Sequence, residues 1–136
     1  MSARSKARKR ALDLIFAAEA QRISVDDLLT SQQDAGEGPA NEYTVTLVRG
    51  VHEHRERLDA LISQYAEGWT LERLPAVDRN LLRLGIFEVL YVDDVPDAVA
   101  VSEAVNLARD LSTDESPGFV NGVLGHVARD KDRLTA

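Results

Sequence analysis

Apolar residues recur at intervals of three and four along nearly the whole chain, the signature of amphipathic helices. Strand-type alternation is almost absent. Leu12, Ile15 and Phe16, flanked by Ala11 and Ala18, predict a first helix over about residues 4–22. Ser24 is an N-cap candidate for a short second helix through "VDDLLTSQQ". The loop "DAGEGPAN" follows, with two Gly and one Pro in eight residues. Thr44, Val48, Val51, Arg55, Leu58, Ile62 and Tyr65 step by three and four, so one long helix is predicted over 41–65, ended by Gly68.

The stretch "RNLLRLGIFEVLYV" is apolar almost all round, which places it in the middle of a bundle. Asp78 is the N-cap candidate for this helix. Gly85 within it costs about 1 kcal/mol relative to Ala unless a neighbouring helix needs the space. Arg83 and Glu88 are charged residues in the same segment, and pairing with a neighbouring helix is the expected reason for them. Trp69 reads as a core anchor. Two further helices follow. One carries Val101, Ala104, Val105, Ala108 and Leu111. The other begins with Ser116 as N-cap and Pro117 at its first position, and continues through Phe119, Val120, Val123, Leu124 and Val127. The pattern predicts an all-α single domain over residues 1–136, with about six helices.

Composition narrows the function. There is no Cys among the 136 residues, so disulfides and thiolate metal sites are excluded and a reducing, cytoplasmic setting is expected. No apolar run approaches the ~18 residues of a membrane span. The net charge is -7, yet five of the seven residues from Arg4 to Arg10 are basic. Outside that segment eleven Lys and Arg face all twenty-three acids, a balance of -12. An acidic body repels nucleic acid, so any polyanion contact must be local. A solvated basic tail is the plain alternative.

Catalytic signals are weak, and no enzyme activity, metal or cofactor is expected. His52 and His54 are two apart on a helix and face different sides, and His126 is remote. No metalloprotease, nucleophile-elbow or phosphate-loop motif is present. One other stretch stands out. "DESPGFVNG" puts Phe119 and Asn121 near a helix N-terminus, where free N–H groups suit phosphate, an exposed ring stacks on an unpaired base, and an amide reads base edges. Burial of Phe119 in the core is the competing reading.

Four segments in order resemble the NusB family. "RSKARKRALDLIF" is similar to its Arg-rich opening and first helix, and "LPAVDRNLLRLGIFEVL" to its Asp-Arg-x-x-Leu-Arg-Leu segment. "PDAVAVSEAVNLARDLS" and "SPGFVNGVLG" resemble its Val-Ala-Ile-Asn-Glu-Ala-Val stretch and its Phe-Val-Asn-Gly-Val-Leu signature. Ser102 departs from the usual Asn before Glu103. The resemblance implies six to seven helices in two packed halves, and transcription antitermination through boxA-type single-stranded RNA of ribosomal RNA transcripts. It implies the small-subunit ribosomal protein NusE as partner, with other Nus factors and RNA polymerase beyond it.

Carried over residue by residue, the resemblance nominates Arg4, Lys6, Arg8, Lys9 and Arg10 for phosphate contact. It assigns Phe119 to base stacking, adds Asn121, and places Phe16 at the border of the RNA. Asp78 is assigned to the NusE contact. Five cations on a single strand correspond to a log–log salt slope of about -3.5. Three other readings stay open at this point. One is a helical protein-interaction module without RNA binding, for which a homodimer through a self-complementary helix face is one form. The second is a stand-alone relative of the RNA-binding domain of rRNA methyltransferases, for which no Gly-rich strand–turn–helix appears up to Ala136. The third is a DNA-binding helix-turn-helix, opposed by the acidic body.

Overall fold

The computed structural model describes residues 2–39 and 41–136. Those residues form eight α-helices and one 3-10 turn, with no strand. No helix among them is long and apolar enough to cross a membrane. The chain divides into two compact units, Met1–Glu53 and His54–Ala136.

The first unit holds α1 (Ala3–Gln21), α2 (Val25–Asp34) and α3 (Glu42–Glu53), each packed against the other two. Ser2 Oγ accepts the Ser5 amide at 3.1 Å, and Ser24 Oγ accepts the Asp27 amide at 3.0 Å, so both helix starts are closed by serine caps. Arg22, in the left-handed region at φ 57°, ends α1 and donates its amide to Ala18 and Glu19. Leu12, Leu14, Ile15, Leu28, Leu29, Leu47 and Val48 are buried. Thr44 Oγ1 donates to the Ala7 carbonyl at 3.1 Å, and Asn41 Nδ2 to that of Ala3 at 3.2 Å. These two bonds tie the start of α3 to the first turns of α1.

The second unit is built around α5 (Ala76–Tyr91), in which every residue from Asn80 to Leu90 is buried. It touches α4 (Arg55–Tyr65), α6 (Asp97–Leu111), α7 (Ser116–Arg129) and the short α8 (Lys131–Leu134). This is the central helix that its apolar circumference predicts. A Cβ built on Gly85 would lie 2.6 Å from Leu124 Cδ1, so α7 occupies the space that the missing side chain leaves.

Five sequence expectations are corrected. The helix expected over 41–65 is two, α3 and α4, parted at His54 (φ -102°, ψ 13°). The His54 ring stacks on Tyr91 at 4.0 Å and lies 6.1 Å from Phe87. That docking is tertiary, so the three-four spacing runs across the break without a sign of it. Second, α4 closes at Tyr65, and Gly68, at φ 80°, turns the chain afterwards rather than ending the helix. Third, Asp78 is the third residue of α5, not its N-cap, and is 3% exposed. Fourth, Ser116 is the first residue of α7, not its cap, and it is buried. Fifth, Trp69 lies at the surface, 48% exposed.

Candidate nucleic-acid interface

The basic segment is helical from Ala3 onward, which spaces its cations by 100° steps around α1 rather than along a tail. Lys6 and Lys9 face solvent, and Arg4 and Arg10 are half-buried. The Arg4 guanidinium lies over the Tyr43 ring at 4.3 Å. Arg10 Nη2 donates to Gln32 Oε1 at 3.0 Å and to the Glu37 carbonyl at 3.3 Å. Arg8 departs from its expected role. It is 3% exposed, with its guanidinium 5.8 Å from the same Tyr43 ring, and it serves the fold of the first unit rather than presenting charge. Helical spacing puts Ala7, Arg8 and Ala11 on the inner side.

Lys9, Asp13 and Phe16 occupy positions i, i+4 and i+7 of α1, and all three are exposed. Phe16 is 41% exposed and spends its apolar area outward. Lys6, one turn before Lys9, extends this face. Beside it runs a groove of about 470 Å3 to which Lys6, Arg10, Pro39 and Asn41 contribute. One open face of α1 therefore carries two lysines, one aspartate and an aromatic ring.

In the second unit, Phe119 lies in the first turn of α7, half-buried, with its ring 6.2 Å from that of Trp69 and tilted by 59°. Asn121 is exposed, but two residues along a helix is about 200° of rotation. It borders a different groove, between α6 and α7, with Ser102, Asn106 and Arg109. The structure thus does not bring Phe119 and Asn121 to one contact.

The start of α7 also differs from a free anion site. The Ser116 amide donates to Thr113 and the Phe119 amide to Glu115, while Pro117 has no N–H. Asp114 and Glu115 stand exposed beside it. Chemistry there favours a neutral ring surface over a phosphate.

Asp78 is held inside the second unit. Ser112 Oγ donates to its Oδ1 at 2.6 Å and Ser116 Oγ to its Oδ2 at 2.9 Å. Both oxygens are thus engaged by the segment between α6 and α7, which fixes where α7 begins. A carboxylate buried and bonded in this way is not presented to a partner's cation, so its expected role in the NusE contact is set aside. Among the described residues, no group of three or more His, Cys, Asp or Glu is arranged to hold a metal.

One residue that places the cations of α1 was not singled out from sequence. Tyr43, which carries the Arg4 and Arg8 guanidinium groups, has no local signal, because its partners lie more than thirty residues away. Trp69, read from its place near a helix end as a core anchor, is instead left at the surface of the second unit.

The sequence profile described as NusB family matches residues 5–129. The transcription antitermination protein NusB of Nocardioides sp. is 62% identical over 134 residues, covering 98% of this chain and 99% of that one. The NusB of Arthrobacter sp. strain FB24 is 53% identical over the full length of both. Among solved structures, T. maritima NusB superposes with a TM-score of 0.85 at 32% identity, over 100% of this chain and 99% of that chain. A crystal structure of the antitermination factors NusB and NusE in complex with double-stranded RNA shares the fold, at TM-score 0.80 and 24% identity, over 93% of this chain and 96% of that chain. An all-helical fold, motifs in register from end to end and identity of this extent lead to one conclusion: the chain belongs to the NusB family of transcription antitermination factors, a non-enzymatic family.

Proposed function

We propose that this chain binds boxA-type single-stranded RNA of ribosomal RNA transcripts together with NusE, and through that complex joins the other Nus factors on RNA polymerase to suppress termination. The observation that carries the RNA reading is the open face of α1, where Lys6, Lys9 and Phe16 are exposed on a chain that is otherwise acidic. Charge confined to one face restricts the phosphate contact to that face, and a ring alongside supplies apolar area for an unpaired base. The NusE part rests on kinship with a NusB that was crystallised with NusE and RNA.

With Arg8 inside the fold, four cations remain for the backbone, and the log–log salt slope on a single strand falls to about -2.8. The deciding experiment is a titration of boxA leader RNA and of a scrambled RNA of equal length, at two salt concentrations, with and without NusE. Preference for the boxA RNA, a slope near that value and tighter binding with NusE are expected. Equal, weak affinity for both RNAs with NusE present would leave only the protein-interaction reading.

A further inference from the structure

We infer that α8 is a latch for the start of α4, closed by partly exposed ion pairs and transmitted through Arg57 to the stack of His54 on Tyr91. The inference is independent of the RNA reading. The start of α4 lacks a local anchor, because its N-cap, His54, makes no side-chain cap hydrogen bond. Tertiary contacts therefore place the first turn. The His54 ring lies nearly parallel to that of Tyr91, at 4.0 Å and 15°, and Phe87 stacks on Tyr91 at 5.5 Å. Arg57 supports the same ring: its Nη1 donates to the Tyr91 hydroxyl at 2.8 Å. The other arm of that guanidinium, Nη2, donates to the Leu134 carbonyl of α8. A guanidinium is a rigid planar fork, so one arm does not move without the other. The position of α8 and the support of Tyr91 are thus set together.

α8 does not persist on its own account. It is four residues long, far below the length at which a helix is stable alone, and none of its residues is buried. Polar tethers hold it. Lys131 Nζ meets Asp97 Oδ1 of α6 at 3.0 Å. Arg133 Nη2 donates to Asp130 Oδ2 at 3.0 Å and to the Tyr65 hydroxyl of α4 at 3.1 Å. The side chains of the first pair are 28% and 35% exposed, and those of Arg133 and Asp130 are 65% and 34% exposed. Pairs open to water contribute little each and are screened by salt. An element held in this way opens without the core. When it does, Arg57 loses the Leu134 carbonyl, and the arm that supports Tyr91 under His54 is no longer fixed. Rising ionic strength therefore acts at α8 and is felt at the start of α4, with Arg57 and Leu134 seventy-seven residues apart in sequence.

The experiment is amide hydrogen exchange followed by NMR on the full chain without RNA. The Leu134 and Thr135 amides, bonded to the Asp130 and Lys131 carbonyls at 2.9 Å each, report α8. The Leu58 amide, bonded to the His54 carbonyl at 2.9 Å, reports the start of α4, and the His54 ring protons, shielded by Tyr91, report the stack. Lys131→Ala combined with Arg133→Ala is expected to speed exchange at Leu134 and Thr135 about 2- to 25-fold. Exchange at Leu58 should rise with it, and the His54 ring signals should move downfield. Raising salt from about 0.05 to about 0.5 M should have the same effect on the parent protein, with no substitution at all. In an Arg57→Lys background, where the ammonium lacks the fork that reaches both acceptors, the α8 substitutions should leave Leu58 and His54 unmoved. Unchanged exchange at Leu134 and Thr135 in the double variant overturns the latch. Faster exchange there with Leu58 and His54 unmoved, or an effect on them that survives Arg57→Lys, overturns its transmission through Arg57.

Discussion

Arg83 and Asp59 form a bidentate ion pair between α5 and α4: Nε meets Oδ1 at 2.6 Å and Nη2 meets Oδ2 at 3.1 Å. The Arg83 side chain is 3% exposed, and its Nη1 also donates to Asn80 Oδ1 at 2.8 Å. A buried charge depends on the groups that bond it. Asp59→Ala removes the bidentate bonds of Asp59 from this buried guanidinium and is expected to lower stability by about 2–4 kcal/mol. Urea unfolding followed by circular dichroism tests this. A loss below about 0.5 kcal/mol would show that water or Asn80 replaces the carboxylate at no real cost.

Two glycines of the second unit should respond to alanine with opposite signs. At Gly85 the new methyl would sit 2.6 Å from Leu124 Cδ1, and Leu124 is fully buried, so the clash outweighs the better helix propensity. A loss of about 1–3 kcal/mol is expected. At Gly122 the methyl enters open space on a regular helix, and a gain of about 0.5–1 kcal/mol is expected. Melting temperatures of the two variants would decide it, and a shift of equal sign in both would refute the packing account.

The basic residues of α1 divide by exposure. Lys6→Ala and Lys9→Ala should each flatten the log–log salt slope of RNA binding by about 0.7 and leave stability within about 0.5 kcal/mol. Arg8→Ala should do the reverse, since the side chain is buried against Tyr43. Its main effect is loss of folding stability, with a slope unchanged when binding is measured on the folded fraction. Salt-series titrations paired with thermal melts distinguish the two classes. An Arg8→Ala variant as stable as the parent would return Arg8 to the phosphate surface.

Stability should depend on pH through Asp130 and Tyr65. The Tyr65 hydroxyl donates to Asp130 Oδ2 at 2.6 Å and Arg133 Nη2 donates to the same oxygen at 3.0 Å. The Tyr65 hydrogen bond first, and then Arg133, hold the Asp130 carboxyl below the ordinary carboxylate range. A depressed folded value means the contribution is complete above the unfolded value of ~3.9 and is lost as pH falls through the folded one. The bond to Asp130 raises the Tyr65 hydroxyl, so that contribution is complete below ~10 and is lost at higher pH. Asp130→Asn should therefore unfold more easily than the parent at neutral pH, with the difference closing as pH falls through the depressed carboxyl value. Urea midpoints across pH 2 to 7 measure it, and parallel curves would exclude the linkage.

Local regularity made much of this protein legible in its sequence. The three-four spacing located the first two helices, and the apolar circumference of "RNLLRLGIFEVLYV" marked the helix that four others surround. The serine caps at Ser24 and the space reserved at Gly85 follow from backbone rules that act over a few residues. Charge patterning picked out α1, and motifs in register indicated the family.

What lay beyond sequence was set by contacts between distant residues. Whether a cation on α1 faces water depends on what packs beside it: Arg8, on the inner side of the helix, is buried near Tyr43, more than thirty positions away. Asp78 became an internal acceptor because Ser112 and Ser116 return to it from the far end of α6. Trp69 was left at the surface, held against Phe119 fifty residues later. The sequence by itself determined which segments are helical, which of them is central and where positive charge collects, because these depend on neighbours within a turn or two. Only tertiary packing decided which charged and aromatic side chains remain in solvent, because burial is a property of whatever the folded chain brings alongside.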